Sequence, residues 1–375
     1  MGDVDGYRVH VVGPDLDAVA GFDPRALIGE ADALPADGVV GTKDRSALLA
    51  ALVARRRGLP GPTPEALLAC QHKPTSRGLQ AAVAPEATPR FARLDGEVPP
   101  FPPPYFVKPV VGRLSQDTRR VDDPLELAEL DGWDAYREGY AAIAELAGFP
   151  RGEVGGYLAE ELRSGMEVTL EGYVHGGRVT VIGVTDSVMY PGTNSFERFE
   201  YPTRLPRSRR DELAALTERV LPALGFDGGF FNVEFVVPER EQVTLIEVNG
   251  RIASQFAPLV RAVHGRSTYE ALFALACGDD PAWTPREPEG VAISYVLRRF
   301  EDAFVEAVPE PEDDLEILVR PGLRLSEQGT NDAESFRLAI VYGSGETREE
   351  ALARCRERVA GLSFRLREPA PARRP

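Results

Sequence analysis

Cysteine, histidine and long apolar runs are scarce in this chain, and each shortage excludes a class of protein. The three cysteines, Cys70, Cys277 and Cys355, stand far apart with no CxxC pair, and there are only four histidines. Such usage indicates neither a zinc site nor a disulfide framework. No run approaches the roughly 18 to 20 apolar residues that span a bilayer, and the first residues lack the basic and apolar regions of a signal peptide. We therefore expect a cytoplasmic protein that does not associate with membranes.

Positive charge is also in short supply. Forty-three lysine and arginine side chains stand against fifty-nine aspartates and glutamates, and the resulting formal charge of −16 repels nucleic acid. Of the 375 residues 43% are hydrophobic and 27% charged, the composition of a globular protein large enough for two or three lobes. We expect a well-packed protein that does not bind nucleic acid.

Lysine and asparagine are also rare in this chain. Only three of the forty-three basic residues are lysine, namely Lys43, Lys73 and Lys108. A compact ammonium differs from a guanidinium fork in hydration and hydrogen-bond geometry, so each retained lysine raises the question of a chemical role. There are four asparagines, and Asn232 and Asn249 flank the acidic motif described below.

The order of helix and strand patterns predicts an α+β (α/β) protein. Strand patterns at residues 7–12 and 38–41, followed by a helix at 45–57, predict a small α/β unit at the N-terminus. A hairpin is expected around Gly176 and Gly177. We divide the chain into an N-terminal domain (1–62), a central domain (63–290, with lobes at about 80–158 and 159–290), a C-terminal α+β lobe (291–365) and a frayed tail (366–375).

The strongest chemical signal is a pair of acidic strands, FNVEFVV and LIEVNGR. Residues two apart on a strand point to the same side, so Glu247, Asn249 and Arg251 share one face. A short turn brings Glu234 beside Glu247, and two carboxylates with an amide oxygen suit Mg²⁺. Arg251 would bind a phosphoryl group or a carboxylate as a bidentate donor. The alternative is a strand pair with a polar, solvent-facing side, against which stand the apolar flanks and the scarcity of asparagine.

A second signal is the lysine in YFVKPVVGRLSQD, which is Lys108. A lysine inside an apolar strand is costly unless its ammonium meets an anion, and a turn containing Gly112 and Ser115 follows directly. A nucleotide phosphate would satisfy it, and the alternative is a lysine at a sheet edge that reaches solvent. The evidence for a chemical role of Lys73, in CQHKPTSRG, is weaker when this residue is considered alone, because a lysine at a helix end before proline is usually a solvated cap.

A third signal is AEELRSGMEV, in which Glu160 and Glu167 bracket a break between strands. The backbone of this break could hydrogen-bond an adenine edge while Glu167 accepts from ribose hydroxyls. The alternative is that both glutamates are charged ends of an exposed hairpin.

Taken in order, these motifs resemble those of the ATP-grasp superfamily, over about residues 38–290. The resemblance implies an ATP-grasp fold in which two α+β lobes hold ATP between them, after a short N-terminal α/β domain and before a C-terminal lobe similar to that of amino-acid ligases and biotin carboxylases. It implies that ATP contacts lie at Lys73, Lys108 and Ser115, at the adenine hinge Glu160, Glu161, Leu162 and Arg163, and at the ribose-binding Glu167. It also implies that Glu234, Glu247 and Asn249 bind Mg²⁺, with Mn²⁺ as a possible substitute, and that Arg251 is catalytic.

Two features depart from the pattern of that superfamily. The phosphate loop GRLSQD has a single glycine and adds Arg113, which could contribute a charged contact where relatives use backbone groups. Only seventy-two residues precede Lys73, fewer than the usual first domain needs, so an early strand is missing or the true start lies upstream.

The resemblance implies an ATP-dependent ligase that joins a small-molecule carboxylate to an amine through an acyl phosphate and releases ADP and phosphate. No biotin-acceptor lysine signature occurs in the chain, which disfavours a self-contained biotin-dependent carboxylase. The alternative function is an ATP-binding sensor or partner protein without turnover, and a homodimer is a possible assembly. The long segment at 189–206 reads as a substrate-facing loop, with Asn194, Arg198 and Glu200 as candidate contacts.

Overall fold

The computed structural model describes residues 6–368 apart from 18, 20, 114, 130–133, 285, 287, 330 and 333. Helices and strands alternate irregularly along it, so the fold is of the mixed class that the sequence predicts. The helices are α1 (Pro24–Asp32), α2 (Asp44–Arg57), α3 (Pro64–Gln71), α4 (Lys73–Val83), α5 (Ala135–Leu146), α6 (Arg207–Ala223), α7 (Ala257–His264), α8 (Thr268–Ala276) and α9 (Arg348–Ala360). No helix in these residues is both long and apolar enough to cross a bilayer.

Side-chain caps fix several of the helix starts. Thr63 accepts from the backbone N–H of Ala66 before α3, and Ser267 forms a capping box with Glu270 at α8. Each cap satisfies a backbone donor that the first helical turn leaves without a partner. Gly58 ends α2 in the left-handed conformation that a residue without a Cβ adopts at little cost.

The strands form three antiparallel sheets. They are β1 (Phe91–Leu94), β2 (Tyr105–Pro109), β3 (Arg119–Val121), β4 (Tyr157–Glu161), β5 (Met166–His175), β6 (Arg178–Met189), β7 (Phe196–Tyr201), β8 (Gly229–Val237), β9 (Thr244–Asn249), β10 (Val291–Arg299), β11 (Phe304–Ala307), β12 (Leu315–Ile317), β13 (Phe336–Gly345) and β14 (Arg365–Arg367). A four-stranded sheet has the order β1-β4-β2-β3, an eight-stranded sheet has the order β12-β13-β10-β7-β6-β5-β8-β9, and β11 pairs with β14. The hairpin of β5 and β6 turns at Gly176 and Gly177, as the sequence predicts.

The N-terminal segment differs from the α/β unit that its pattern predicts. No strand occurs among its described residues before β1, and the predicted strands at 7–12 and 38–41 are wrong. These segments pack on helices instead. The ring of Tyr7 lies 5.5 Å from that of Phe273 on α8, and Gly38 passes so close to α8 that an added Cβ would lie 2.4 Å from the carbonyl oxygen of Ala276. A short apolar run can thus cover a helix without a partner strand, which periodicity alone does not reveal.

The eight-stranded sheet includes an expected loop and crosses the expected boundary at residues 290 and 291. The expected loop at 189–206 contains β7, which pairs with β6 on one side and with β10 on the other. Because β10, β12 and β13 belong to the same sheet as β5 to β9, the C-terminal lobe shares that sheet with the central domain. The first two residues of the expected tail belong to β14, and residues 369–375 lie outside the described part of the chain.

One large apolar core ties the N-terminal helices to this sheet. It combines Leu48 of α2, Leu67 of α3 and Ile143 of α5 with Val168 of β5 and Phe235 of β8, all of which are at most 1% exposed. A smaller core lies between β10, β13 and α9 around the buried thiol of Cys355. Burial of this apolar surface is the main force that holds the strands of the functional site in register.

We predict that Gly172→Ala destabilises the fold, because a Cβ at this position would lie 2.1 Å from the carbonyl oxygen of Thr180 on β6. The register of the β5–β6 pair shifts between Glu171 and Gly172. The expected loss of unfolding free energy is about 1 to 3 kcal/mol, which urea titration measures. Gly78→Ala on α4 is the matched control, since nothing lies within 4 Å of its Cβ and alanine favours a helix. Equal midpoints for Gly172→Ala and the parent would contradict this packing.

Candidate active site

Three neighbouring strands place polar side chains in two cross-strand rows. Thr169 of β5 lies opposite Glu234 of β8, which lies opposite Glu247 of β9. In the next row Glu171 lies opposite Asn232, and Asn232 lies opposite Asn249. Residues two apart on a strand face the same side, so both rows share one face of the eight-stranded sheet.

The structure brings together the three residues predicted to bind a metal. Glu234 and Glu247 are direct cross-strand partners, and the amide Nδ2 of Asn249 lies 3.0 Å from Oε1 of Glu234. In the described part of the chain, no group of three or more histidine, cysteine or acidic side chains has the geometry to hold a metal ion. The candidate set is therefore two carboxylates and one amide, which leaves further coordination positions of a hard cation for phosphate oxygens and water.

Burial raises the pKa of three acidic side chains on this face, whereas the pKa of Glu247 is lowered because the charges of Lys73 and Lys108 outweigh its burial. Burial, reinforced by the charge of Glu234, raises the pKa of Glu167 to about 8. Burial and the charge of Glu247 raise the pKa of Glu234 to about 7, and burial raises that of Glu171 to about 8. These shifts arise because the loss of water on burial outweighs the nearby positive charges, which are those of Arg251 and Lys108 at Glu234 and that of Arg251 at Glu171. A divalent cation would supply the missing positive charge, so the donor set fits one.

The two predicted phosphate lysines are buried and paired with carboxylates. Nζ of Lys108 lies 2.9 Å from Oε2 of Glu160, and Nζ of Lys73 lies 3.4 Å from Oε1 of Glu247. Lys108 is 3% exposed and Lys73 is 7% exposed, so neither is a solvated lysine at an edge or a helix end. The anion that meets Lys108 in the structure is a protein carboxylate, that of Glu160, and the contact of Lys108 with a nucleotide phosphate stays a prediction. Burial still lowers the pKa of Lys108 despite that carboxylate.

Arg77 completes this ion cluster and was missed in the sequence. Its Nε and Nη2 lie 2.7 Å and 3.0 Å from the two carboxylate oxygens of Glu160, a bidentate pair. Its guanidinium also donates to the carbonyl oxygens of Leu245 and Ile246 on β9. A signal was available, because Arg77 stands four residues after Lys73 and therefore on the same face of α4.

The predicted adenine hinge joins the two larger sheets. Strand β4 of the four-stranded sheet ends at Glu161, and residues 162–165, which include Leu162, lead into β5 of the eight-stranded sheet. Glu160 is 5% exposed, so its reading as an exposed hairpin end is wrong. The side chain of Glu161 pairs instead with Arg90 and Arg163. A contact between this hinge and adenine stays a prediction.

Arg251 is held by an aspartate from the N-terminal segment. Its Nε lies 2.9 Å from Oδ1 of Asp44, the first residue of α2, and its Nη2 lies 3.4 Å from Oδ1 of Asn249. Asp44 is 207 positions away in the chain, and no sequence pattern indicated this pair. The contact brings the start of α2 to the acidic face and orients Arg251 along it.

The predicted phosphate loop lies between β2 and β3 and carries Ser115 at a φ of 53°. Its Arg113 pairs with Asp17 at 2.8 Å, so that guanidinium is engaged by the protein rather than held for a ligand. The side chain of Ser115 is exposed. The role of Ser115 in phosphate binding stays a prediction.

A cleft of about 1340 Å³ opens over the acidic face. Glu167, Glu234 and Arg251 line it, together with residues from the N-terminal segment, the helices α7 and α8, and the strands β12 and β13. The predicted substrate contacts are not among its lining residues. These residues contact other parts of the protein instead. The backbone N–H of Asn194 donates to the carboxylate of Glu334, and the guanidinium of Arg198 donates to Glu197 and Glu200. Glu200 also pairs with Arg348. The residues of this region that do line the cleft are Phe196 and Phe199.

Residues 101–258 match the model of the ATP-grasp domain family. This segment of the chain is an ATP-grasp domain. It contains Lys108, the hinge, Glu167, the three candidate metal ligands and Arg251, whereas Lys73 and Asp44 reach the site from outside it.

The similarity of this chain to solved structures extends beyond the ATP-grasp domain. The L-amino acid ligase of Bacillus licheniformis has a TM-score of 0.71 at 20% identity, over 92% of this chain and 85% of that one. The biotin carboxylase domain of the Hydrogenobacter thermophilus 2-oxoglutarate carboxylase, solved with MgADP, ADP and bicarbonate, has a TM-score of 0.69 at 15% identity, over 92% of this chain and 78% of that one. The phosphoribosylglycinamide synthetase of Anaerococcus prevotii has a TM-score of 0.63 at 15% identity, over 92% of this chain and 88% of that one.

A sequence relative of this chain is the uncharacterized protein y4rH of Sinorhizobium fredii. The two are 28% identical over 326 residues, which cover 81% of this chain. The chain spans 64% of the length of that relative, so the relative contains segments without a counterpart here.

We predict that Glu160→Gln lowers the free energy of unfolding by about 3 to 5 kcal/mol near neutral pH, because it leaves Arg77 and Lys108 buried without their carboxylate. Burial opposes ionisation of Glu160, but the charges of Arg77 and Lys108 lower its pKa to about 2. The stabilisation is therefore complete above the unfolded-state pKa, about 4.3, and is lost as the pH falls toward 2.

Urea titrations of Glu160→Gln between pH 3 and pH 8 measure this difference. Glu161→Gln is the matched control, since the adjacent carboxylate makes only surface pairs worth less than about 1 kcal/mol. A loss at Glu160 no larger than at Glu161, or one that does not diminish in acid, would show that Glu160 is not the counterion of this cluster.

Proposed function

We propose that the protein is an ATP-dependent ligase that joins a carboxylate to an amine through an acyl phosphate, with release of ADP and phosphate. The observation that carries this proposal is the acidic face of the cleft. There Glu167 and Glu234 lie close together with raised pKa values, beside two buried lysines and Arg251. An arrangement of this kind suits a triphosphate and its cation better than it suits a solvent-facing sheet.

The roles of the residues follow from their positions. Glu234, Glu247 and Asn249 would hold Mg²⁺, which supplies positive charge to the terminal phosphates when bound. Lys73 lies next to Glu247 and would pair with the phosphates. Arg251, oriented by Asp44, lines the cleft and would neutralise charge on the transferring phosphoryl group.

The geometry favours chemistry at the terminal phosphate. The cation ligands and Arg251 lie on one face, and the hinge at 162–165 enters that face through β5, which carries Glu167. A nucleotide with its base at the hinge and its ribose at Glu167 would extend its phosphates toward Glu234. The incoming carboxylate would then attack the γ-phosphorus, the O–P bond to ADP would break, and an amine would displace phosphate from the acyl phosphate.

The names of two solved structures with a similar fold support this proposal. They include an L-amino acid ligase and a phosphoribosylglycinamide synthetase, with identities of 20% and 15%. The competing function is a nucleotide sensor that binds ATP without turnover. Lys73, Lys108, Arg251 and the cation ligands form one connected set here, which supports turnover over binding alone.

The proposed reaction is tested by screening pairs of small carboxylates and amines for release of nucleotide product. We expect ADP and phosphate, and we expect hydroxylamine in place of the amine to give a hydroxamate in step with ADP, since an acyl phosphate reacts with a small nucleophile. Release of AMP and pyrophosphate would contradict the acyl phosphate. Tight ATP binding without ADP release from any pair would favour the sensor.

A further inference from the structure

The turn that carries Arg251 forms part of the wall of the cleft. Strand β9 ends at Asn249, and residues 250–253 lead from it toward α7. Ile252, in the middle of this turn, is 1% exposed and packs in an apolar core. Its two neighbours, Arg251 and Ala253, line the cleft. The position of the Arg251 side chain therefore depends on how the backbone of this turn is held.

Two buried side chains from neighbouring strands hold the peptide groups on either side of Ile252. Oε1 of Glu171 on β5 accepts from the backbone N–H of Ala253 at 3.1 Å. Nδ2 of Asn232 on β8 donates to the carbonyl oxygen of Arg251 at 3.3 Å. Glu171 and Asn232 are direct cross-strand partners and are 3% and 2% exposed. These two hydrogen bonds form a clamp that ties the turn to the sheet.

The donors and acceptors around Asn232 have one consistent arrangement. The carbonyl oxygen of Arg251 only accepts, so Asn232 must present its NH₂ group to it. Oδ1 of Asn232 then accepts from Nδ2 of Asn249 at 2.8 Å. Asn249 is left with its Oδ1 on the side of the Arg251 guanidinium, 3.4 Å from Nη2. One buried amide thus orients both the backbone of Arg251 and the oxygen of a candidate cation ligand.

Glu171 serves this turn rather than a ligand. It does not line the cleft, and its bond with Ala253 is the one hydrogen bond of its side chain in the described part of the chain. Burial raises the pKa of Glu171 to about 8, although that bond and the charge of Arg251 act in the opposite direction. An apolar side chain would occupy such a buried position at a lower cost. The hydrogen bond to the turn is therefore the feature that a carboxyl group contributes here.

We infer that Glu171 is a positioning residue for Arg251, which it holds, together with Asn232, through the backbone of the turn 250–253. Asp44 fixes the guanidinium end of Arg251, and the clamp fixes its backbone end. A side chain held at both ends is presented to a ligand in one geometry. The contact of Arg251 with a phosphoryl group rests on the proposed function, whereas the clamp itself does not.

The preference for a triphosphate over a diphosphate tests this inference without knowledge of the acid or the amine. Calorimetric titrations of the full chain with Mg²⁺ compare a non-hydrolysable ATP analogue with ADP. We expect Arg251→Gln to lower the preference for the analogue about tenfold, because a charged contact with the γ-phosphate is lost. Glu171→Met should lower it about threefold or more and leave the affinity for ADP unchanged, since a displaced guanidinium loses the same contact.

Two further variants separate positioning from general stability. Glu171→Gln keeps a carbonyl acceptor for Ala253 and should retain the preference of the parent. Thr217→Val on α6 is the matched control, because it also makes a buried polar side chain apolar and its hydroxyl donates within its own helix, to Leu213. It should change nothing. If Arg251→Gln lowers the preference and Glu171→Met does not, or if Glu171→Met weakens both nucleotides equally, the inference is overturned.

Hydrogen exchange distinguishes a failure of the clamp from a failure of the proposed function. The backbone amide of Ala253 should exchange about tenfold or more faster in Glu171→Met than in the parent, since it loses its acceptor. Unchanged exchange would overturn the inference whatever the nucleotides do. Faster exchange, with a preference that neither Arg251→Gln nor Glu171→Met alters, would refute the proposed phosphate contact of Arg251 and keep the clamp. If Glu171→Met does not fold, Glu171→Leu takes its place in both experiments.

Discussion

The close approach of carboxylates on β5 and β8 is the constraint around which the site is arranged. Sheet pairing forces Thr169 opposite Glu234 and Glu171 opposite Asn232, and Glu167 follows on the same face. Burial of a carboxylate away from water is costly, and the raised pKa values of Glu167, Glu171 and Glu234 follow from that burial. Natural folds keep such clusters where function requires them, which is why a bound cation is the simplest account.

The cations around this cluster come from separate parts of the chain and are shared among several acids. Arg77 and Lys108 both contact Glu160, and both donate to the carbonyl oxygen of Ile246 on β9. Strand β9 of the eight-stranded sheet is thereby tied to β4 of the four-stranded sheet through buried charge. If a nucleotide attracts Lys108 or Lys73 as proposed, it would alter these ties, and binding would then be coupled to the relative position of the two sheets.

Local geometry explains which parts of the site could be predicted from the sequence. Glu234 and Glu247 belong to one hairpin, so strand periodicity and a short turn were enough to pair them. The apolar residues around Lys108 in the sequence indicated that it is buried, but they did not identify Glu160 as its partner. Asp44 and Arg251, 207 positions apart, meet only through tertiary packing, and β7 was hidden because glycine and prolines flank it. Contacts between distant segments leave no periodic signal.

Calorimetric titration with a non-hydrolysable ATP analogue at pH 8 tests the central claim most directly, because it needs no knowledge of the acid or the amine. The account predicts one nucleotide site whose affinity depends on Mg²⁺ and is lost with a chelator. It also predicts that Glu234→Gln weakens Mg²⁺-dependent binding by about tenfold or more, while the variant melts no earlier than the parent. Nucleotide binding that is indifferent to Mg²⁺, or unchanged in Glu234→Gln, would contradict the assignment of the acidic face as a metal and nucleotide site.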